Sequence, residues 1–382
     1  MKVALDASVI RSPMSGVHYA VREQAGALLN FLQREEVTLY SHDPILADAA
    51  GGDSVRRGFL PGLCRRPSFR ILWQQLVLPH LLRRSEIDVL HALAYTAPAV
   101  SRVPSVLNLH DLIGLEHPAW CARLNALQMR MLLPVSIRRA AAIIVSSSHV
   151  ADRTVELLGI SRSRIHRIPL GVDASRFAWW RQPENAANAA RDVTAEFALD
   201  PHRYLLFVGN IEPKKGLDTL VDAYARLSRE LDWDLVIAGR PAWKCTRLLR
   251  ACRQYEGPGR ILLTGRVSDR QRDLLLSQAG AFVFPSRTEG FGLPILEAMA
   301  AGVPVVHSDH PVVLETAGNA GLSFRRDAPE TLVAALQRLT VSSTLREACI
   351  ERGIARAAMF PWSKWGESAA AVLRNVAATG SA

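Results

Sequence analysis

Nowhere in the 382 residues do about 18 apolar residues stand together, so no membrane-crossing helix is expected. Cysteine is scarce and scattered: Cys64, Cys121, Cys245, Cys252 and Cys349 are odd in number. They form no Cys-x-x-Cys, and Cys245 and Cys252 lack the tight spacing of metal ligands. That argues against a disulfide scaffold or zinc ribbon and suits a reduced cytosol. No Walker loop or Gly-x-Gly-x-x-Gly follows the first apolar run, and no low-complexity block or solenoid repeat occurs. Acid is also in deficit, with a formal net charge of +10. Such a surface attracts polyanions. No helix-turn-helix, zinc or RNA-binding pattern accompanies the charge, so nucleic acid is not the expected partner.

What is present is ordinary globular composition, 49% hydrophobic and 21% charged, enough for two sizeable cores. The opening Met1-Lys-Val-Ala-Leu-Asp6 reads as a first strand rather than a signal peptide. Both halves alternate short apolar strands with helical stretches, the pattern of α/β units around parallel sheets. In the first half the strands are expected at Val3–Leu5, Val37–Tyr40, Val89–His91, Ser105–Leu109, Ala142–Val145 and Ile165–Ile168. In the second they are Tyr204–Gly209, Asp234–Ala238, Ile261–Thr264, Ala281–Phe284, Val303–His307 and Gly321–Phe324. The polar, alanine-rich stretch Trp179–Ala198 reads as a connection with a lead-in helix.

The most informative stretch is Phe284-Pro-Ser-Arg-Thr-Glu-Gly-Phe-Gly-Leu-Pro-Ile-Leu-Glu297. An apolar strand runs into a glycine-rich bend, and a helix follows with Pro294 in its first turn. Unpaired N–H groups at a helix start make an anion site, and Gly290 and Gly292 let backbone approach a ligand closely. Glu289 before the bend and Glu297 one turn into the helix can both reach a polyhydroxylated ligand. The stretch, which includes Phe291 and Leu293, therefore reads as a site for a nucleotide-linked sugar. A second motif is Phe207-Val-Gly-Asn-Ile-Glu-Pro-Lys-Lys-Gly216. Gly209 ends its strand, and Lys214 and Lys215 offer point charge to a pyrophosphate.

In Val106-Leu-Asn-Leu-His-Asp111, His110 either donates to a sugar hydroxyl with Asp111 holding it, or the pair caps the next turn. Arg11-Ser-Pro-Met-Ser-Gly-Val-His18 is a weak phosphate loop around Gly16. Ser146-Ser147-Ser148 either faces the ligand or caps a helix from His149. Asp232-Trp-Asp234 spells a metal-binding Asp-x-Asp, but it immediately precedes a buried run and reads as a strand-entry turn. No metal and no cofactor are expected.

Taken together, these motifs closely resemble the family 4 retaining glycosyltransferases, whose Glu-x7-Glu pattern matches Glu289 and Glu297. The resemblance covers nearly the whole chain. It implies an α/β, GT-B architecture of two Rossmann-like doubly wound domains facing a cleft. The acceptor-side domain would span 1–180, the nucleotide-sugar domain 190–359, and a last helix within 360–382 would pack back on the first. It implies catalytic roles for Glu289, His110 and Lys215, a ribose contact for Glu297, a loop contact for Gly16 and a backbone contact from Val267 to the base. Asn210 departs from the pattern, which commonly has arginine there. Leu112-Ile-Gly-Leu-Glu-His-Pro118 resembles the branch rich in mannosyltransferases of O-antigen and exopolysaccharide assembly. The implied donor is GDP-mannose or a related sugar, with UDP-sugars and dTDP-rhamnose open. The acceptor would be a glycan, lipid-diphosphate-linked.

Between Arg56 and Arg84, arginines interleave with Leu60, Leu63, Phe69, Leu72, Trp73 and Leu76. Two readings stand for this segment: an anionic membrane interface, or a helix with its arginines solvated. The first places the protein in the cytoplasm, peripheral at the inner face of the plasma membrane. Two rival functions also stand, a sugar-nucleotide epimerase of the same architecture and a non-catalytic binding partner.

Overall fold

The computed structural model describes residues 1–380 apart from 12, 13, 15 and 50–53. The chain divides into two compact units, one of Met1–Gly171 with Trp362–Ala382, the other of Val172–Pro361.

The first unit is built on a seven-stranded, all-parallel sheet. Its strands are β1 (Lys2–Asp6), β2 (Glu36–Tyr40), β3 (Val55–Arg57), β4 (Val89–Ala92), β5 (Ser105–Leu109), β6 (Ala142–Val145) and β7 (Ile165–Arg167), in spatial order β3-β2-β1-β4-β5-β6-β7. Val3 sits opposite Val37 on one side and Val89 on the other. With both faces covered, β4, β5 and β6 are buried at every residue and mostly apolar; the polar exceptions are Ser105 and the pair His91 and Asn108, which hydrogen-bond to each other at 2.8 Å. The last helix, Trp362–Gly380, belongs to this unit and lies against Gly16–Leu29. A Cβ on Gly366 would come 2.5 Å from the Ala27 carbonyl oxygen, so glycine permits that close approach.

The second unit carries a six-stranded parallel sheet. Its strands are β8 (Tyr204–Val208), β9 (Asp234–Ala238), β10 (Ile261–Gly265), β11 (Ala281–Phe284), β12 (Val305–Ser308) and β13 (Leu322–Phe324), in spatial order β10-β9-β8-β11-β12-β13. Both orders are the doubly wound one, which reverses direction beside the first strand of each sheet. The crevice at that reversal, outside the strands' carboxyl ends, is where such sheets bind ligands. In the second unit the reversal lies between β8 and β11, so the two loops carrying the strongest motifs are neighbours.

The segment between β3 and β4 is more broken than one amphipathic helix. It runs through a 3-10 turn (Gly62–Arg65), an α-helix (Pro67–Leu72), a π-helical turn (Trp73–Val77) and a second α-helix (Leu78–Arg84). The π turn points Gln74 inward, where its Nε2 donates to Asp6 at 2.6 Å and to the Thr96 carbonyl at 2.9 Å. Cys64, Trp73, Leu78 and Leu82 join the core beside Ala4 and Tyr40. The outward side is not purely charged: Phe59, Leu63, Leu72 and Leu76 are 65%, 60%, 54% and 71% exposed. Arg56, Arg65, Arg66, Arg83 and Arg84 are exposed with them, whereas Arg70 is half-buried and its guanidinium pKa is lowered by burial. No helix among the described residues is long and apolar enough to cross a membrane.

Candidate active site

The loops after β8 and β11 meet at the reversal point. Pro213–Lys215 forms a single 3-10 turn that ends on Gly216 at φ +61°, a left-handed conformation natural to glycine. A Cβ there would fall 2.2 Å from the Pro285 carbonyl oxygen, so the two loops touch backbone to side-chain position. Lys215 Nζ donates to Glu289 Oε1 at 2.6 Å and lies 5.4 Å from the centroid of the Phe284 ring. Lys214 Nζ stands 3.8 Å from Glu212 Oε1. Burial alone would push the Glu289 carboxyl up, but the charges of Lys215 and then Lys214 outweigh it and hold the pKa below its ordinary value. Glu289 is thus an anion fixed against two cations.

Arg287 ties the loops together. Its backbone N–H donates to the Lys214 carbonyl at 2.8 Å and its Nη1 to the Pro213 carbonyl at 2.9 Å. Its Nη2 and Nε reach Asp218 and Asp327, each at 2.7 Å. This residue was visible inside the Pro-Ser-Arg-Thr-Glu stretch, yet nothing in the sequence says which loop it crosses to.

Gly292, at φ +92°, caps the helix Leu293–Ala300, with Pro294 in its first turn. Gly290 is buried, Leu293 half-buried. The Phe291 side chain is 6% exposed and meets the Phe360 ring edge-on at 6.0 Å, so it anchors the bend. Glu297 is 5% exposed, with Arg272 Nη2 at 3.8 Å from its Oε1. Burial raises its pKa; Arg272 and Arg176 pull against that, while Asp273 and Asp269 add to it. Arg176 in turn donates to Asp273 at 2.5 Å. The two glutamates of one motif therefore sit in opposite electrostatic settings.

At the end of β10, Gly265 takes φ +68° and half-buried Val267 precedes Ser268. Ser268 and Gln271 close a capping box on the helix Asp269–Ser277. The Asp-x-Asp pair is occupied elsewhere. Asp232 binds Arg203 at 2.8 Å and Asp234 binds Arg260 at 2.7 Å, at the end of the sheet where the strands begin. No group of three or more His, Cys, Asp or Glu suited to a metal ion occurs among the described residues.

In the first unit, His110 follows β5 and is buried. Its Nε2 donates to the Leu93 carbonyl at 2.9 Å and its ring meets Tyr95 edge-on at 5.5 Å. The carbonyl, rather than the neighbouring acid, holds the ring. Asp111 instead accepts from the Tyr95 hydroxyl at 3.1 Å and from the Ile113 N–H at 3.3 Å. Burial lowers the His110 pKa, so the ring is neutral at pH 7 and offers Nδ1 as an acceptor. Of the two readings open from sequence, Asp111 makes the turn contact, on the Ile113 N–H. Ser147 accepts from Val150 N–H at 3.3 Å and caps the helix Ser148–Leu158, which settles the serine run in favour of capping at that position.

Gly16 is the first residue of Gly16–Leu29 rather than part of a loop. A Cβ there would meet nothing within 4 Å, so packing does not demand glycine. Residues 12, 13 and 15 of that expected loop lie outside the described residues.

The family model described as Glycosyltransferase Family 4 matches residues 14–176, and that described as Glycosyl transferases group 1 matches 192–356. An O-antigen chain mannosyltransferase B of Escherichia coli is 26% identical over 95% of this chain and 96% of its own. A GDP-mannose:cellobiosyl-diphosphopolyprenol alpha-mannosyltransferase of Xanthomonas oryzae pv. oryzae is 31% identical over 80% of this chain and 78% of its own. Among solved structures, Anabaena Alr3699/HepE in complex with UDP and glucose superposes with a TM-score of 0.72 at 17% identity, covering 98% and 100% of the two chains. That last likeness speaks for the fold alone. Two doubly wound parallel sheets, the loop pair at the β8–β11 reversal and the matches along both units make this chain a glycosyltransferase of the GT-B class, a member of glycosyltransferase family 4.

Proposed function

We propose that the protein transfers a hexose, with retention of anomeric configuration, from a nucleoside diphosphate sugar to a growing lipid-linked glycan of the cell surface. The observation that carries the reading is the junction of Lys214, Lys215 and Glu289 beside the helix start at Gly292. As the anomeric C–O bond breaks, the electron pair leaves with the diphosphate. Lys215, Lys214 and the helix-start N–H groups offset that charge without a metal. Glu289 orients the hexose hydroxyls while positive charge develops at the anomeric carbon. Glu297 is assigned the ribose, the backbone near Val267 the base, and His110 Nδ1 accepts from a sugar hydroxyl. Gly209, Gly290, Phe291 and Leu293 are assigned to donor binding, as is Gly16 from the first position of its helix.

GDP-mannose is the favoured donor, because the O-antigen and cellobiosyl-diphosphopolyprenol relatives are mannosyltransferases by name. The cellobiosyl-diphosphopolyprenol relative, by its name, favours a polyprenol-diphosphate-linked acceptor, and the reading places transfer at the cytoplasmic face of the plasma membrane. Exposed Leu63, Leu72 and Leu76 beside exposed arginines support docking on that anionic surface.

The test is a donor panel read by thermal shift, followed by product analysis with and without acceptor. Stabilisation by GDP-mannose and a glycosylated product carry the reading. A shift with UDP-glucose and none with any GDP-sugar ends the donor assignment. Free epimerised sugar nucleotide, or no turnover at all, replaces transfer with one of the rival functions. In the same assay Glu289→Gln should lower turnover by roughly 10²-fold, the scale of losing an electrostatic stabiliser.

A further inference from the structure

The cations at the β8–β11 junction are already engaged. Lys215 is bound to Glu289, Lys214 stands against Glu212, and Arg287 holds two aspartates. Two lysines against two glutamates leave the junction nearly neutral, whereas a nucleoside diphosphate brings two or more negative charges.

One strand further along, the loop after β9 runs beside the loop after β8. Ile211 N–H donates to the Arg240 carbonyl at 2.9 Å, Ala242 N–H to the Ile211 carbonyl at 3.0 Å, and Ile211 bridges Pro241 in parallel. The approach is close enough that a Cβ on Gly239 would fall 1.8 Å from the Gly209 carbonyl oxygen. This pairing fixes half-buried Arg240 beside Asn210, and Arg240 Nε donates to Asn210 Oδ1 at 3.3 Å. Among the described residues Arg240 makes no ion pair, and its other guanidinium nitrogens have no hydrogen bond. Asn210 is joined to Gly209, over which Lys215 lies: its Cε is 3.8 Å from where a Gly209 Cβ would stand. Arg240, Asn210, Gly209 and Lys215 thus form a continuous strip along one loop edge.

We infer that Arg240 is a diphosphate-binding residue of this enzyme, aimed by the Asn210 amide oxygen, with Nη1 and Nη2 left to engage phosphate oxygens as a fork. This rests on the proposed use of a nucleoside diphosphate sugar. It also assigns a purpose to asparagine at position 210: a neutral acceptor orients the arginine without cancelling its charge, as an acid there would.

The test compares GDP and UDP with GMP and UMP by calorimetry, on the full chain. Arg240→Gln should weaken GDP or UDP binding roughly 10- to 100-fold, the range for losing charge-assisted hydrogen bonds, and leave the monophosphates nearly unchanged. Asn210→Ala, which frees the side chain without removing its charge, should cost less. Asn210→Arg in the Arg240→Gln background should restore diphosphate binding. If Arg240→Gln does not fold, Arg240→Lys carries the comparison, with an intermediate loss expected because charge remains and the fork does not. Unchanged diphosphate affinity in a folded variant, or equal losses for di- and monophosphates, overturns the assignment of Arg240 and leaves the proposed function standing. A parent chain that binds neither GDP nor UDP overturns both.

Discussion

At the scale of single residues, the two motif glutamates make opposite demands on the fold. Glu289 has its pKa held below the ordinary 4.5, so its ionised form favours the folded state. That contribution is present above the ordinary value and is lost as pH falls through the depressed one. Glu297 has its pKa raised above 4.5, so the folded state prefers its protonated form, and stability falls as pH rises through the raised value. Glu289→Gln should therefore melt lower than the parent at pH 7, with the gap closing in acid. Glu297→Gln should melt higher at pH 7, again converging below the ordinary carboxylate value. Thermal melts of both variants at neutral and acid pH check the signs; the same sign for both would mean that the Lys215 pair or the Arg272 cluster is misread. A carboxylate kept under strain by burial is what a ligand-binding role for Glu297 would leave behind, since residues at sites are not chosen for stability.

Elements were legible where their physics is local. Parallel strands buried on both faces are near-continuous apolar runs, which is why Ala142–Val145 and Ala281–Phe284 read directly from sequence. The edge strand Val55–Arg57 did not, because its two arginines are exposed and only one neighbour pairs with it. The helix after the second motif runs Leu217–Leu227, its start set by Gly216, which is held left-handed just outside it. The helices Thr246–Arg253 and Ser343–Ala358 carry weaker apolar stripes, burying only Cys252 in the first and Cys349, Gly353 and Ala357 in the second, so periodicity does not announce them. Loop identity was legible and loop contact was not. The two junction motifs could each be read as anion sites, but Lys215 and Glu289 are 74 positions apart, and only the strand order brings them together. Gly216 shows the cost of that contact. Gly216→Ala must either hold alanine at φ +61° or drive its Cβ into the Pro285 carbonyl. We expect about 2 kcal/mol or more of lost stability from the conformation and the clash, with nucleotide binding weakened as the loops separate. Denaturant melts and GDP titration of that variant test it; unchanged values in both would mean the loops move apart freely.

At the scale of the whole molecule, the excess of positive charge acquires a location. A net charge of +10 says only that a polyanion is attracted. Between β3 and β4 the chain exposes Phe59, Leu63, Leu72 and Leu76 together with Arg56, Arg65, Arg66, Arg83 and Arg84. Solvated arginines over a buried apolar face would not leave those side chains in water, so the exposed mixture favours an interface that takes up apolar groups and cations together. Arg70 does not belong to it, being half-buried and close enough to Asp6 for that charge to offset part of its burial. The informative variant is therefore Arg65, Arg66 and Arg84 changed together to Ser. Each arginine near an anionic surface contributes about 1 kcal/mol, so the three should weaken binding to phosphatidylglycerol vesicles by roughly 100-fold. Leu63→Ser with Leu76→Ser should weaken it by removing the apolar component, and that loss should persist at high salt, where the arginine contribution is screened. Activity on a short soluble acceptor should survive in both. Equal sedimentation of parent and variants, or no binding by the parent, would return the segment to a solvated face.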